Sequence, residues 1–185
     1  LEKYKSLELN VEFLTDENKN LQKILETEYF NKNLSNILLA KVLVDKNSPF
    51  LKSIIINKGT RAGILKGMPV TKDNYLVGRV VETNYLSSRV LLLNDLNSRI
   101  PVTLNQGAQA ILSGSGTKNP ILEYLPEDYE TIEDINVFAS GKDGIFTSGT
   151  PIGITNTEGT VDLFIDPNQL SFVTVNLNVQ NKEKL

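Results

Sequence analysis

The chain of 185 residues has no cysteine and no histidine. A chain of this length can bury roughly 70% of its unfolded surface, so it needs neither a disulfide nor a metal to fold. The lack of cysteine fits an extracytoplasmic protein that avoids stray disulfides, as it fits many cytosolic ones. The lack of histidine removes the commonest general base and the commonest zinc and copper ligand. Ser-His-Asp, Cys-His and histidine-ligated metal mechanisms are therefore excluded. Only carboxylate, lysine or serine–lysine chemistry is left. No run of 18 apolar residues occurs, so no segment reads as a membrane span, and there is no signal-peptide pattern. The sequence begins at Leu1, without Met and inside a helical pattern, and reads as an excised soluble part of something longer. A surplus of basic charge is missing too. Net charge is −3 and the pI about 5.1, with Lys and Arg scattered, which argues against nucleic acid as a partner.

What is present is ordinary for a soluble globular protein of one or two domains: 40% hydrophobic and 22% charged residues. The first 35 residues contain neither Pro nor Gly and read as one helix. Tyr4, Leu7, Val11, Leu14, Asn18, Leu21 and Leu25 recur at spacings of three and four. Leu7, Leu14 and Leu21 then take the d positions of a heptad, and Val11, Asn18 and Leu25 the a positions. β-branched and Asn residues at a, with Leu at d, favour a two-stranded parallel coil. Lys3 at g can meet Glu8 at e of the partner helix. The alternative is a lone amphipathic helix packed on its own domain, a role open to the off-seam Leu9, Phe13 and Ile24.

From about residue 37 the texture changes to short apolar or alternating runs separated by Gly, Asn, Asp, Ser and Pro. Strands are expected over 38–44, 53–56, 68–71, 76–82, 89–93, 99–104, 108–112, 121–125, 135–138, 151–156, 161–165 and 172–177. Short, closely spaced strands with no crossover helices indicate antiparallel barrels or sandwiches, and not a parallel nucleotide-binding sheet.

Several stretches imitate chemical motifs. NKGTRAGILKGMPV places Gly59, Gly63 and Gly67 four apart, with Lys66 before the third. A phosphate loop needs a helix N-terminus after it, and here Met68, Pro69 and a strand follow instead. The glycines therefore read as backbone punctuation that supplies positive φ or close approach, as do Gly78, Gly141, Gly144, Gly149 and Gly153. Ser115-Gly116-Thr117-Lys118 is formally SxxK, the nucleophile motif of penicillin-binding proteins. Its Gly, Asn and Pro neighbours suit a hairpin tip, and the SDN and KTG partners are missing. Glu127, Asp128, Glu130, Glu133 and Asp134 could suggest a glycosidase pair or a calcium site. A calcium loop needs a Gly turn that PEDYETIED lacks, so a solvated linker is the reading. No catalytic residue, cofactor or metal site is expected.

An ordered series of segments resembles the extracytoplasmic region of the bacterial rod shape-determining protein MreC family. They are I-x-N-K-G-T-R-A-G-I-L-K-G-M-P-V-T over 55–71, L-V-G-R-V-V-E over 76–82, S-S-R-V-L-L-L-N-D-L-N-S-R-I-P-V over 87–102, G-A-Q-A-I-L-S-G over 107–114, L-E-Y-L-P over 122–126 and S-G-K-D-G-I-F-T-S-G-T-P-I-G over 140–153. The similarity runs in order over about 38–178. The chain departs from the family pattern in turns: Glu133-Asp134 for Gly-Asp, Ala139-Ser140-Gly141 for Thr-Ser-Gly, and Thr147 for a proline.

The resemblance implies a mainly β fold: an N-terminal coiled-coil helix, then two small six-stranded antiparallel β-barrels in a chymotrypsin-like layout without a catalytic triad. The expected division is a helix over 1–36, a discontinuous first barrel over 37–65 and 126–180, and an inserted second barrel over 66–125. The glycine-rich stretch would then be the hinge between barrels; a sequential split near residue 105 is equally open from the residues alone. The implied function is a non-enzymatic scaffold on the extracytoplasmic face of the cell membrane, anchored by an N-terminal membrane helix. It would form a homodimer or filament and organise peptidoglycan synthesis with a penicillin-binding transpeptidase and with MreD, MreB and RodA. The competing classes are a double-barrel protease or carboxylate hydrolase, and an adaptor of a membrane transport complex.

Overall fold

The computed structural model describes residues 2–30, 36–47, 52–126 and 133–177. Two units are present, residues 1–35 and residues 36–185. The described residues of the first form the helix α1 (Glu2–Phe30). With no Gly or Pro to break it, it runs 29 residues, about 43 Å at 1.5 Å per residue. Among the described residues no helix is long and apolar enough to cross a membrane.

The described residues of the second unit form twelve strands: β1 (Ile37–Asn47), β2 (Lys52–Ile56), β3 (Pro69–Lys72), β4 (Tyr75–Thr83), β5 (Ser88–Leu92), β6 (Arg99–Leu104), β7 (Gln109–Ser113), β8 (Ile121–Glu123), β9 (Asn136–Ala139), β10 (Pro151–Thr155), β11 (Val161–Leu163) and β12 (Phe172–Asn176). They make two six-stranded antiparallel barrels, the architecture expected from the sequence. In the first, the order β1-β12-β3-β4-β5-β2 closes on itself. Its core takes one face of each strand: Ala40, Ile54, Ile56, Val70, Val77, Val80, Val90, Val173 and Val175, all nearly or fully buried. Period-2 alternation puts the β2, β5 and β12 members inside, while on β4 Val77 and Val80 are three apart and the pairings with β3 and β5 shift register. The β3–β4 hairpin turns on Asp73 and Asn74, both at positive φ, and Lys72 pairs with Tyr75. That two-residue loop is the type I′ geometry that matches strand twist, and Asp and Asn tolerate it.

The second barrel has the order β11-β10-β9-β6-β7-β8. It is nearly closed by a bridge between Ile121 and Thr160 and by the Val161 N–H donating to the Pro120 carbonyl at 2.8 Å. Strand β6 shows how local chemistry survives in a central strand. Ile100, Val102 and Leu104 point inward, fully or almost fully buried. Pro101 sits one residue outside the 102–104 stretch that pairs with β9, so its missing N–H costs no ladder bond.

The strand pairing redraws the expected division. β3, β4 and β5 were expected in the inserted barrel but belong to the closed one, where β12 joins β3 at Thr174–Thr71 and Val175–Val70. β9, β10 and β11 were expected in the first barrel but pair with β6 and with one another in the second. The interruption of the first barrel therefore comes after β5, and the glycine-rich stretch joins β2 to β3 within one barrel. The physical reason is that β1 and β12 close the sheet only once β3–β5 have supplied the strands between them. The barrels are welded rather than merely tethered. Leu76 of β4 and Leu93 lie in the second barrel's core, and Tyr75 packs against Phe164 with the rings tilted by 48° and their centroids 5.0 Å apart.

Candidate interaction surfaces

On α1 the described side chains of the predicted seam are exposed. Tyr4, Leu7, Val11 and Leu14 are all more than half exposed, Leu21 is 42% exposed, and Asn18 is exposed. Leu25 is in the helix, but its side chain, like that of Ile24, lies outside the described residues. Leu9 and Phe13, off the seam, are exposed as well. A stripe of Leu and Val left in water gains about 25 cal/mol per Å² when covered.

The glycines fall into two structural kinds. Gly63, Gly67, Gly141, Gly144 and Gly149 lie at positive φ. Gly59, Gly78 and Gly153 sit where neighbouring backbone leaves no room for a side chain. At Gly59 a Cβ would lie 2.1 Å from the Asn84 carbonyl oxygen and 2.7 Å from the Ser87 nitrogen. This approach ties the β2–β3 loop to the β4–β5 loop. The Thr60 N–H donates to the Asn84 carbonyl at 2.9 Å and the Arg61 N–H to the Tyr85 carbonyl at 3.1 Å. The Ser88 hydroxyl donates to the Lys58 carbonyl at 2.8 Å. Gly67 is thus part of one barrel's tip and not a hinge between barrels.

One site escaped sequence reasoning. Asp95 is fully buried in the connection between β5 and β6. Its Oδ2 accepts the Lys52 N–H at the start of β2 at 2.7 Å. Its Oδ1 accepts the Asn97 N–H at 2.8 Å and the Asn97 side-chain amide at 3.0 Å. Gly114, from the second barrel, packs against the Asp95 backbone, where a Cβ would lie 1.8 Å from its carbonyl oxygen. The carboxylate therefore pins the first barrel to the joint. N-D-L-N reads as a simple turn in sequence; its 43-residue reach to Lys52 had no local signal.

The structure places the chemical look-alikes as follows. The Ser115 hydroxyl donates to the Asn119 carbonyl at 2.7 Å and lies 2.6 Å from the Thr117 hydroxyl, in the loop between β7 and β8, while Lys118 is exposed. Of the acidic cluster, Glu127, Asp128 and Glu130 lie outside the described residues. Glu133 and Asp134 border an open groove of about 490 Å³ with Asn156, Asp162, Leu163 and Phe164. Asp162 is already engaged, accepting the side-chain amides of Asn119 at 2.5 Å and Asn156 at 3.2 Å. Among the described residues no three acidic, histidine or cysteine side chains gather as a metal site.

The family model described as rod shape-determining protein MreC, barrel core, matches residues 42–177. The cell shape-determining protein MreC of Caulobacter vibrioides is 37% identical over 141 residues, 74% of this chain and 41% of that protein. The chain thus spans about two fifths of that curated relative. The crystal structure of MreC from Pseudomonas aeruginosa matches with a TM-score of 0.69 at 27% identity, covering 76% of this chain and 99% of that one. A complex between penicillin-binding protein PBP2 and MreC from Helicobacter pylori matches with a TM-score of 0.57 at 12% identity, over 77% of this chain and 99% of that one. At that identity the likeness is one of fold. With the family model covering both barrels and a relative above one third identity, the chain belongs to the rod shape-determining MreC family.

Proposed function

We propose that this chain is the extracytoplasmic segment of a non-enzymatic scaffold that organises peptidoglycan synthesis along the side wall and so maintains cell shape. On this reading a membrane anchor precedes the segment and α1 pairs two copies through the Tyr4–Leu25 stripe, giving a dimer or, by repetition, a filament. The barrels hold a penicillin-binding transpeptidase in register with MreD, MreB and RodA. The observation that carries the proposal is the family match over residues 42–177, together with relatives named for cell shape and not for a reaction. The Helicobacter pylori complex with PBP2 supports a transpeptidase as one partner. A welded pair of barrels suits this work, because a rigid body holds partners at a set distance without an ordering cost on binding.

The test is a crosslinking pull-down from host membranes with the intact, anchored protein. Recovery of a penicillin-binding transpeptidase is the expected result. Its absence, or turnover of peptides or muropeptides by the purified chain, would overturn the scaffold reading in favour of a double-barrel hydrolase. Recovery of transport-complex components alone would favour an adaptor.

A further inference from the structure

The tip of the first barrel brings a basic loop together with exposed apolar side chains. The β2–β3 loop, residues 57–68, carries Lys58, Arg61 and Lys66 and no carboxylate. The β4–β5 loop beside it has no charged residue over 83–87. In a chain of net charge −3 this is a local surplus of three cations. Glu82, on β4 just before the tip, is engaged by Arg89 at 3.1 Å. The same two loops expose three large apolar side chains: Leu65 at 48%, Tyr85 at 64% and Leu86 at 60%. The backbone beneath them is tied down by the Thr60–Asn84 and Arg61–Tyr85 hydrogen bonds and by the Asn84 N–H donating to the Ser87 carbonyl at 2.8 Å.

We propose that this tip docks on the surface of an anionic lipid bilayer, with Tyr85, Leu86 and Leu65 entering the headgroup region and Arg61, Lys66 and Lys58 meeting lipid phosphates. Charge complementarity selects an acidic surface. The apolar triplet selects one that can be entered and not merely touched, and an aromatic beside basic residues suits the membrane–water interface. Shape favours a bilayer over a folded acidic protein. Tyr85 and Leu86 are consecutive and both exposed at the turn of a hairpin, so they project rather than line a pocket. A protein partner would need a matching cavity, whereas a fluid headgroup layer yields to them. The inference is independent of the scaffold reading, since a transpeptidase can bind elsewhere on a protein whose tip ignores lipid.

The test is co-sedimentation of the 185-residue chain with vesicles of phosphatidylcholine alone and of phosphatidylcholine mixed equally with phosphatidylglycerol. Binding is expected to the mixed vesicles only. It should largely disappear at about 1 M salt, where the Debye length is about 3 Å. Arg61→Ala with Lys66→Ala should weaken partitioning about 25-fold, at about fivefold per cation. Tyr85→Ser with Leu86→Ser should weaken it at unchanged charge. All four side chains are exposed, so the variants should melt as wild type does. Failure of the wild-type chain to bind mixed vesicles, equal binding to both vesicle types, or wild-type binding by both double variants would each overturn the proposal. So would binding of polyglutamate or polyphosphate through Arg61 and Lys66 without vesicle binding, which would identify an acidic polymer as the partner.

Discussion

Replacing Asp95 by Asn changes one atom's chemistry and almost no volume, which makes it a sharp probe of the joint between the barrels. Both carboxylate oxygens are acceptors facing donors only: the Lys52 N–H on one side and the two Asn97 donors on the other. An amide has one acceptor oxygen and one NH2 group. However it rotates, it aims N–H groups at a donor, and one partner loses its bond. Hydrogen bonds to a charged group contribute about 1.5–3 kcal/mol, and an unsatisfied buried donor costs about 1–3 kcal/mol. Loss of one charged acceptor at a fully buried position should therefore cost about 3 kcal/mol. For a unit near 150 residues that is a fall in Tm of roughly 6–12 °C, at about 2–4 °C per kcal/mol. Urea denaturation should show a lower midpoint with an unchanged m value, because the same surface is exposed on unfolding. Amide exchange adds a local readout, since the Lys52 N–H should lose protection while the centres of β6 and β7 keep theirs. A variant within about 0.5 kcal/mol of wild type with Lys52 still protected would refute the reasoning.

Four other outcomes follow from the geometry. Gly59→Ala should destabilise by about 1–3 kcal/mol through overpacking against the Asn84 carbonyl, and Asn there should be at least as costly. At Gly63, where φ is +82 and nothing lies within 4 Å of a Cβ, Ala should cost about 1–2 kcal/mol from conformation alone, and Asn should recover part of it; the same ranking at both positions by chemical denaturation would contradict this account. Leu14→Asp, by placing a charge in a desolvated seam, should convert an α1-mediated dimer to a monomer with folded barrels, and sedimentation at wild-type mass would show that the seam is not the assembly surface. Ser115→Ala should leave stability within about 0.5 kcal/mol and cell-shape complementation intact, and covalent labelling of Ser115 by a β-lactam would overturn its reading as a loop residue.

The sequence by itself determined the elements and their faces, because those depend on near neighbours. A stretch without Gly or Pro became α1. Alternation placed Ile100, Val102 and Leu104 inside β6, and all twelve expected strands lie close to observed ones. What it could not determine was which strands share a barrel. β3, β4 and β5 follow one another as hairpins and read as the start of whatever comes next. Their membership is decided by Thr174 pairing with Thr71, 103 residues away in the chain, and no local pattern encodes that. The same holds for Asp95, whose turn is visible in N-D-L-N but whose bond to Lys52 exists only once β2 has paired with β5, far from it in the chain. Gly59 shows the limit most plainly. Its flexibility was legible as a glycine in a turn, yet its φ of −140° is one any residue can adopt. What forbids a side chain there is the backbone of Asn84, brought close only by closure of the barrel.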